Sequence, residues 1–190
     1  MRGYPIHKRL EKIQCSSEKL QHIFTMDEAF TELVEWAGDV ARRGKPVLID
    51  GWMSAGKSTL ARALATAVHG QMLDADEYLI RNQDAFIAAL DTIALQEAFF
   101  NAERPILAGV CMRQIHALLG SPHASHVYVK RMASWGWADE DDVILDVSDC
   151  SNKEQARTPS LVLEVRAYHG LWHPHETADF IYERAECWNL

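Results

Sequence analysis

The residues best suited to chemistry lie in one stretch, 46–59, which reads PVLIDGWMSAGKST. Within it Gly51, Gly56, Lys57 and Ser58 meet the pattern G-x-x-x-x-G-K-[ST]. Such a loop curls so that successive backbone N–H groups point inward at phosphate oxygens. The helix that follows adds its unpaired N–H groups and the positive end of its dipole. In that arrangement the loop residues Gly51, Trp52, Met53, Ser54, Ala55, Gly56, Lys57, Ser58 and Thr59 bind nucleotide. Lys57 reaches the β- and γ-phosphates, and Ser58 offers a hydroxyl to Mg²⁺. A second constellation is Asp74-x-Asp76. Two acids one residue apart can divide two roles: accepting the proton of an attacking hydroxyl and holding Mg²⁺.

These groups need elements to position them. Val47-Leu48-Ile49 reads as a buried strand, and Leu60, Leu64 and Val68 give a helical period directly after the loop. Residues 26–43 read as an amphipathic helix, with Thr25 and Glu28 as a capping box and Gly44 and Pro46 as its stop. Residues 71–74 form a second strand that delivers Asp74 and Asp76 beside the loop, because ligands of open parallel sheets bind at strand carboxyl ends. A single helix is expected over 83–103, a strand over 105–110, a helix over 112–119 and a strand over 126–130. Residues 159–172 read as helix and 180–182 as the last strand. The alternation predicts an α/β fold with a mostly parallel sheet.

Composition narrows the function classes. The 190 residues carry 19 basic and 27 acidic side chains, a net charge of −8, which argues against general nucleic-acid binding. The four cysteines form no CxxC pair and read as reduced thiols of a cytoplasmic protein. No apolar run reaches membrane-span length, and the N-terminus lacks a signal-peptide core. The acidic stretch from Asp139 to Asp149 reads as a solvated loop around a short strand or helical turn at 143–145. His169, His173 and His175 read as partly exposed histidines near the pocket, since no acid or cysteine completes a metal set. Trp52, Trp135 and Trp137 read as packing residues, with a loop or lid role as the alternative.

GWMSAGKST at 51–59, DADEY at 74–78, PILAGVC at 105–111 and VYVKR at 127–131 together resemble the small-molecule kinases of the P-loop superfamily. The nearest are uridine kinase-like and nucleoside kinase-like enzymes; shikimate-, gluconate- and zeta-toxin-type kinases are further off. The resemblance implies a P-loop NTPase fold, a three-layer α/β/α sandwich. It implies residues 46–190 as the kinase-like domain, 1–45 as an N-terminal arm and helix packed on it, and a lid within 131–160. It also implies Asp76 as base with Asp74 as helper and metal holder. Lys130, Arg131 and, more weakly, Arg157 or Arg166 become phosphate contacts, with Arg131 counted among the catalytic residues. One position departs: the third strand of many relatives ends in an acid just before glycine, where this chain has Ala108 before Gly109. A metal-organising carboxylate must then come from Asp74, Asp76 or Asp50.

The expected function is transfer of the γ-phosphoryl group of ATP, with GTP as an alternative donor, to a hydroxyl of a nucleoside or similar polar metabolite. Two alternatives stand beside it: a nucleotide-binding switch without turnover, and a toxin-type kinase acting on a nucleotide sugar. Homo-oligomers are compatible with any of these.

Overall fold

The structure, a computed structural model, describes residues 28–80, 85–121, 123–144 and 157–185. Its centre is β1 (Val47–Gly51), buried at all five positions. A strand buried on both faces carries a continuous apolar run rather than an alternating one, as Val47-Leu48-Ile49 does. On one side β1 pairs in parallel with β3 (Pro105–Ala108), which pairs in turn with β2 (Gln71–Asp74). On the other it pairs in parallel with β4 (Ser125–Ala133), and β4 with β6 (Phe180–Ala185). Among the described strands only β5 (Gly136–Trp137) is antiparallel; it folds back on the end of β4.

Helices cover both faces. On one, Leu33, Ala37 and Val40 of α1 (residues 28–42) and Leu60, Leu64 and Val68 of α2 (Lys57–Val68) pack on Ile49, Ile106, Val127 and Tyr182. On the other, Leu48 and Leu107 meet Leu95 and Phe99 of α4 (Thr92–Asn101), Met112 and Ile115 of α5 (Met112–Leu119), and Val165 and Tyr168 of α7 (Ser160–Trp172). The three layers put every parallel strand's carboxyl end along one rim, where β1 releases the loop and β2 releases Asp74.

Several expectations are corrected. The helix expected over 83–103 is two helices, α3 (Phe86–Ala89) and α4. Leu90 leaves helical geometry to bridge Leu79, and the Asp91 N–H bonds the Tyr78 carbonyl at 2.8 Å. The Asp91 carboxylate then caps α4 by accepting from the Ala94 N–H at 3.0 Å. Residues 140–144 of the acidic stretch form a short helix, α6 (Glu140–Ile144), and its leading acid Asp139 is 1% exposed, bonded to Arg131. The rest of that stretch lies within 145–156, outside the described residues, as does the arm before residue 28. The strands β4 and β6 run further than the sequence suggests, to Ala133 and Ala185. His169 is fully buried, not partly exposed.

Candidate functional site

The turn between β1 and α2 depends on two glycines. Gly51 has φ 150°, and a Cβ there would lie 2.8 Å from the Val129 carbonyl oxygen. Gly56 has φ 92° and precedes the first helical residue, with the Arg184 guanidinium directly over it; a Cβ would stand 2.8 Å from Cζ. Both features leave room for glycine alone. No side chain caps the start of α2, and its first turn holds no acid. Its first N–H groups therefore remain available to an anion. Lys57, the first residue of α2, is buried, and its Nζ donates 2.7 Å to the Trp52 carbonyl across the loop. Burial lowers its pKa, while the carboxylates of Asp50, Asp76, Asp74 and Asp139 act to raise it.

Facing the loop, β2 ends at Asp74, and a 3₁₀ turn over Ala75–Tyr78 carries Asp76. Asp74 caps that turn, its Oδ1 accepting from the Asp76 N–H at 3.2 Å. In the sheet register Asp74 stands beside Ala108, the position where an acid was expected. Loop and acids meet in one cleft of about 640 Å³, lined by Ser54, Gly56, Lys57, Ser58, Asp74 and Asp76 among others. Its remaining wall is apolar: Leu79, Phe86, Val110 and Leu161. Partial burial, then the neighbouring Asp74 charge, raise the Asp76 pKa; Lys57 opposes them. The donors suit a hard cation, since Mg²⁺ binds through one or two carboxylates plus phosphates and water, and Ser58 and Asp74 bring oxygen atoms to the cleft.

Residues 53–121, which take in the loop from Met53 onward, the paired acids and β3, match the family model for shikimate kinase. Over that stretch the chain is similar to a P-loop kinase. No curated protein matches it. A solved structure described as a possible uridine kinase from Bacillus stearothermophilus superposes with a TM-score of 0.43 at 15% identity. That superposition covers 80% of this chain and 99% of the other.

Behind the loop of this kinase-like chain lies a second polar group, sealed from the cleft. Asp50, 2% exposed, accepts the Gly51 N–H at 2.8 Å and the Tyr168 hydroxyl. Burial raises its pKa from the ordinary 3.8 to about 6. Its hydrogen bonds and its burial take it out of the set of metal candidates. Tyr168 also accepts the Arg113 N–H at 3.1 Å. The adjacent His169 has an assigned tautomer, because the Val165 carbonyl 2.7 Å from Nδ1 can only accept. Nε2 is then the acceptor of the Tyr128 hydroxyl at 2.9 Å. Burial lowers the His169 pKa to about 4, so the ring is neutral at physiological pH. Among the described residues no group of three His, Cys, Asp or Glu side chains is placed to hold a metal ion.

The basic residues and tryptophans distribute unevenly. Arg131 bonds Asp139 at 2.5 Å, and Arg166 bonds Asp142 at 2.5 Å, so two acids of the 139–149 stretch serve as counter-ions. Lys130 sits 4.6 Å over the Trp137 ring, and Arg157 is exposed. Trp52 packs into the core, its ring edge-on to His169 with centroids 5.6 Å apart, so its side chain supports the loop from behind. Trp135 is exposed. Two residues escape the sequence reading. Arg184 of β6 donates 3.2 Å to the Ala55 carbonyl in the loop. Glu164 of α7 accepts the Phe86 and Ile87 N–H groups at 2.5 and 3.0 Å, fixing the apolar wall to α7. Neither has a local signal, because each acts on residues far away in sequence.

Proposed function

We propose that the protein is an ATP- and Mg²⁺-dependent kinase that phosphorylates a hydroxyl of a small molecule, a nucleoside or similar polar metabolite, in the cytoplasm. The observation that carries this reading is the convergence of Lys57, Asp74 and Asp76 on one cleft at the mouth of the glycine loop. Loop N–H groups and Lys57 bind the β- and γ-phosphates. Asp76 takes the acceptor's proton as the acceptor oxygen attacks the γ-phosphorus and the bond to the β,γ-bridging oxygen breaks, releasing ADP; the raised pKa of Asp76 suits that role better than an ordinary carboxylate's. Mg²⁺, when bound, neutralises charge on the phosphates, and Ser58 and Asp74 would hold it. Asp74 thus replaces the acid that Ala108 lacks, one strand over in the same register. Phosphoryl transfer asks mainly for positioning and charge neutralisation, and these residues supply both.

Incubating the protein with γ-labelled ATP, Mg²⁺ and a library of hydroxylated metabolites tests the reading. Labelled product that is absent with Lys57→Ala supports it; no product from any acceptor overturns it. A second reading, a nucleotide-binding switch without turnover, is favoured by Ala108. ATP-dependent affinity for a protein partner, together with no phosphorylated acceptor, would select it.

A further inference from the structure

The peptide that joins Ala55 to Gly56 is gripped from outside the loop. Arg184 donates to the Ala55 carbonyl at 3.2 Å, and its guanidinium lies over Gly56, where a Cβ would stand 2.8 Å from Cζ and 3.1 Å from Nε. Ala55 is fully buried, and among the described residues nothing else donates to its carbonyl. A planar trans peptide carries its C=O and the next N–H on opposite sides. With the Ala55 carbonyl turned to Arg184, the Gly56 N–H therefore points the other way. Among the described residues that N–H has no acceptor. Gly56 lines the cleft beside Lys57, Ser58 and Thr59, while Ala55 and Arg184 do not. Glycine does not enforce this orientation by itself. It adopts either sign of φ at little cost, so the peptide can rotate unless something outside fixes it. A flipped peptide would set the Ala55 carbonyl where the N–H now faces. A phosphate would then meet an acceptor with partial negative charge in place of a donor.

Resting on the kinase reading, we infer that Arg184 is a positioning residue for phosphate binding: by holding the Ala55 carbonyl it keeps the Gly56 N–H aimed at the nucleotide's phosphates. The fold serves this contact. Tyr182 and Arg184 share a face of β6; Tyr182 packs in the core with α2, which puts Arg184 at the start of that helix. No acid stands in the first turn of α2 to draw the guanidinium away. A cation beside the positive end of a helix dipole is unfavourable until an anion arrives, so phosphate in the loop relieves Arg184 and Lys57 together.

Inorganic tripolyphosphate presents a phosphate chain without base or sugar; a non-hydrolysable ATP analogue presents all of them. Calorimetric titration of each, with Mg²⁺, into the wild type and Arg184→Met reads the role directly. Met keeps an unbranched stem and loses the donors and the charge. Both affinities are expected to fall about tenfold or more, by a common factor. Arg184→Lys, which keeps a charged donor able to reach the carbonyl, should return to within about threefold of the wild type. Unchanged affinities in Arg184→Met overturn the inference. So does a loss for the ATP analogue that tripolyphosphate does not share, because Arg184 would then act on base or sugar. If Arg184→Met does not fold, the wild type decides. In ¹⁵N-labelled protein the Gly56 amide proton should move downfield on adding tripolyphosphate, and one that stays in place overturns the inference. The kinase reading fails separately, when no acceptor is phosphorylated, whereas these affinities judge Arg184. A wild type that binds neither probe removes both.

Discussion

Asp50 and Asp76 are the same kind of side chain, each close enough to Lys57 to bear on its charge, yet they do opposite work. Asp50 lies behind the loop, its oxygens occupied by the Gly51 N–H and the Tyr168 hydroxyl. Asp76 lies in the cleft in front, where the only hydrogen bond described for it is the one its own N–H donates to Asp74. Burial raises both pKa values. The difference is in access: a carboxylate sealed in the core and bonded on both oxygens holds a loop, and one open to the cleft can take a substrate proton.

Substitutions can sharpen or break that contrast. The largest effect belongs to the lysine between them. Lys57→Ala should remove ATP binding and phosphoryl transfer together while leaving the circular dichroism intact; unchanged calorimetric affinity would sink the phosphate-loop assignment. Next is Asp76→Asn, which keeps size and polarity. Transfer should fall roughly 10²–10⁴-fold, the usual contribution of a positioned acid or base, with ATP affinity within a few-fold. A Kd that collapses with it would mean Asp76 holds phosphates rather than a proton.

Asp50→Asn should behave differently, in stability and through pH. Folding raises the Asp50 pKa from 3.8 to about 6, so in that window the native state holds a proton that the unfolded chain has released. The contribution of this group to stability is therefore full below pH 3.8 and lost as pH rises through 6. Asn cannot ionise. Urea unfolding from pH 4 to 7 should find the Asn variant gaining about 2 kcal/mol on the wild type, with ATP affinity little changed. A difference flat with pH would refute the sealed-carboxylate account. Tyr168→Phe should cost about 1–3 kcal/mol by stranding the buried Asp50 oxygen, seen as a lowered Tm. The smallest effect is that of Asp74→Asn, which should raise the Mg²⁺ concentration needed for half-maximal rate, more than it changes acceptor KM.

The front of the site was legible in the sequence and the back was not, for a reason of distance along the chain. The glycines, Lys57 and Ser58 lie within eight residues of one loop and the start of its helix, and Asp74 ends the next strand with Asp76 in the turn after it. Their spacing is local, and local spacing is what a sequence displays. Asp50 meets Tyr168 across 118 residues, and Glu164 caps Phe86 across 78. No periodicity encodes such pairings, so a buried histidine beside Tyr168 looked like a pocket histidine. The broken helix was a different kind of miss. The apolar stripe of Phe86, Ile87, Leu90, Ile93, Ala94 and Phe99 keeps a helical period across the break. Yet Asp91 before Thr92 is an N-cap signal, and Ile93 is 78% exposed, so the stripe was never one buried face.

Arg184 grips the Ala55 carbonyl from 129 residues further along the chain and covers Gly56. That contact sets an order of assembly. A ribosome making roughly 5–20 residues per second needs on the order of ten seconds to pass from the loop to its clamp. During that interval β1 and α2 can form, but the loop lacks its outer support and the sheet lacks β6. Nucleotide can help complete the fold only once β6 has been made and slides into place beside β4.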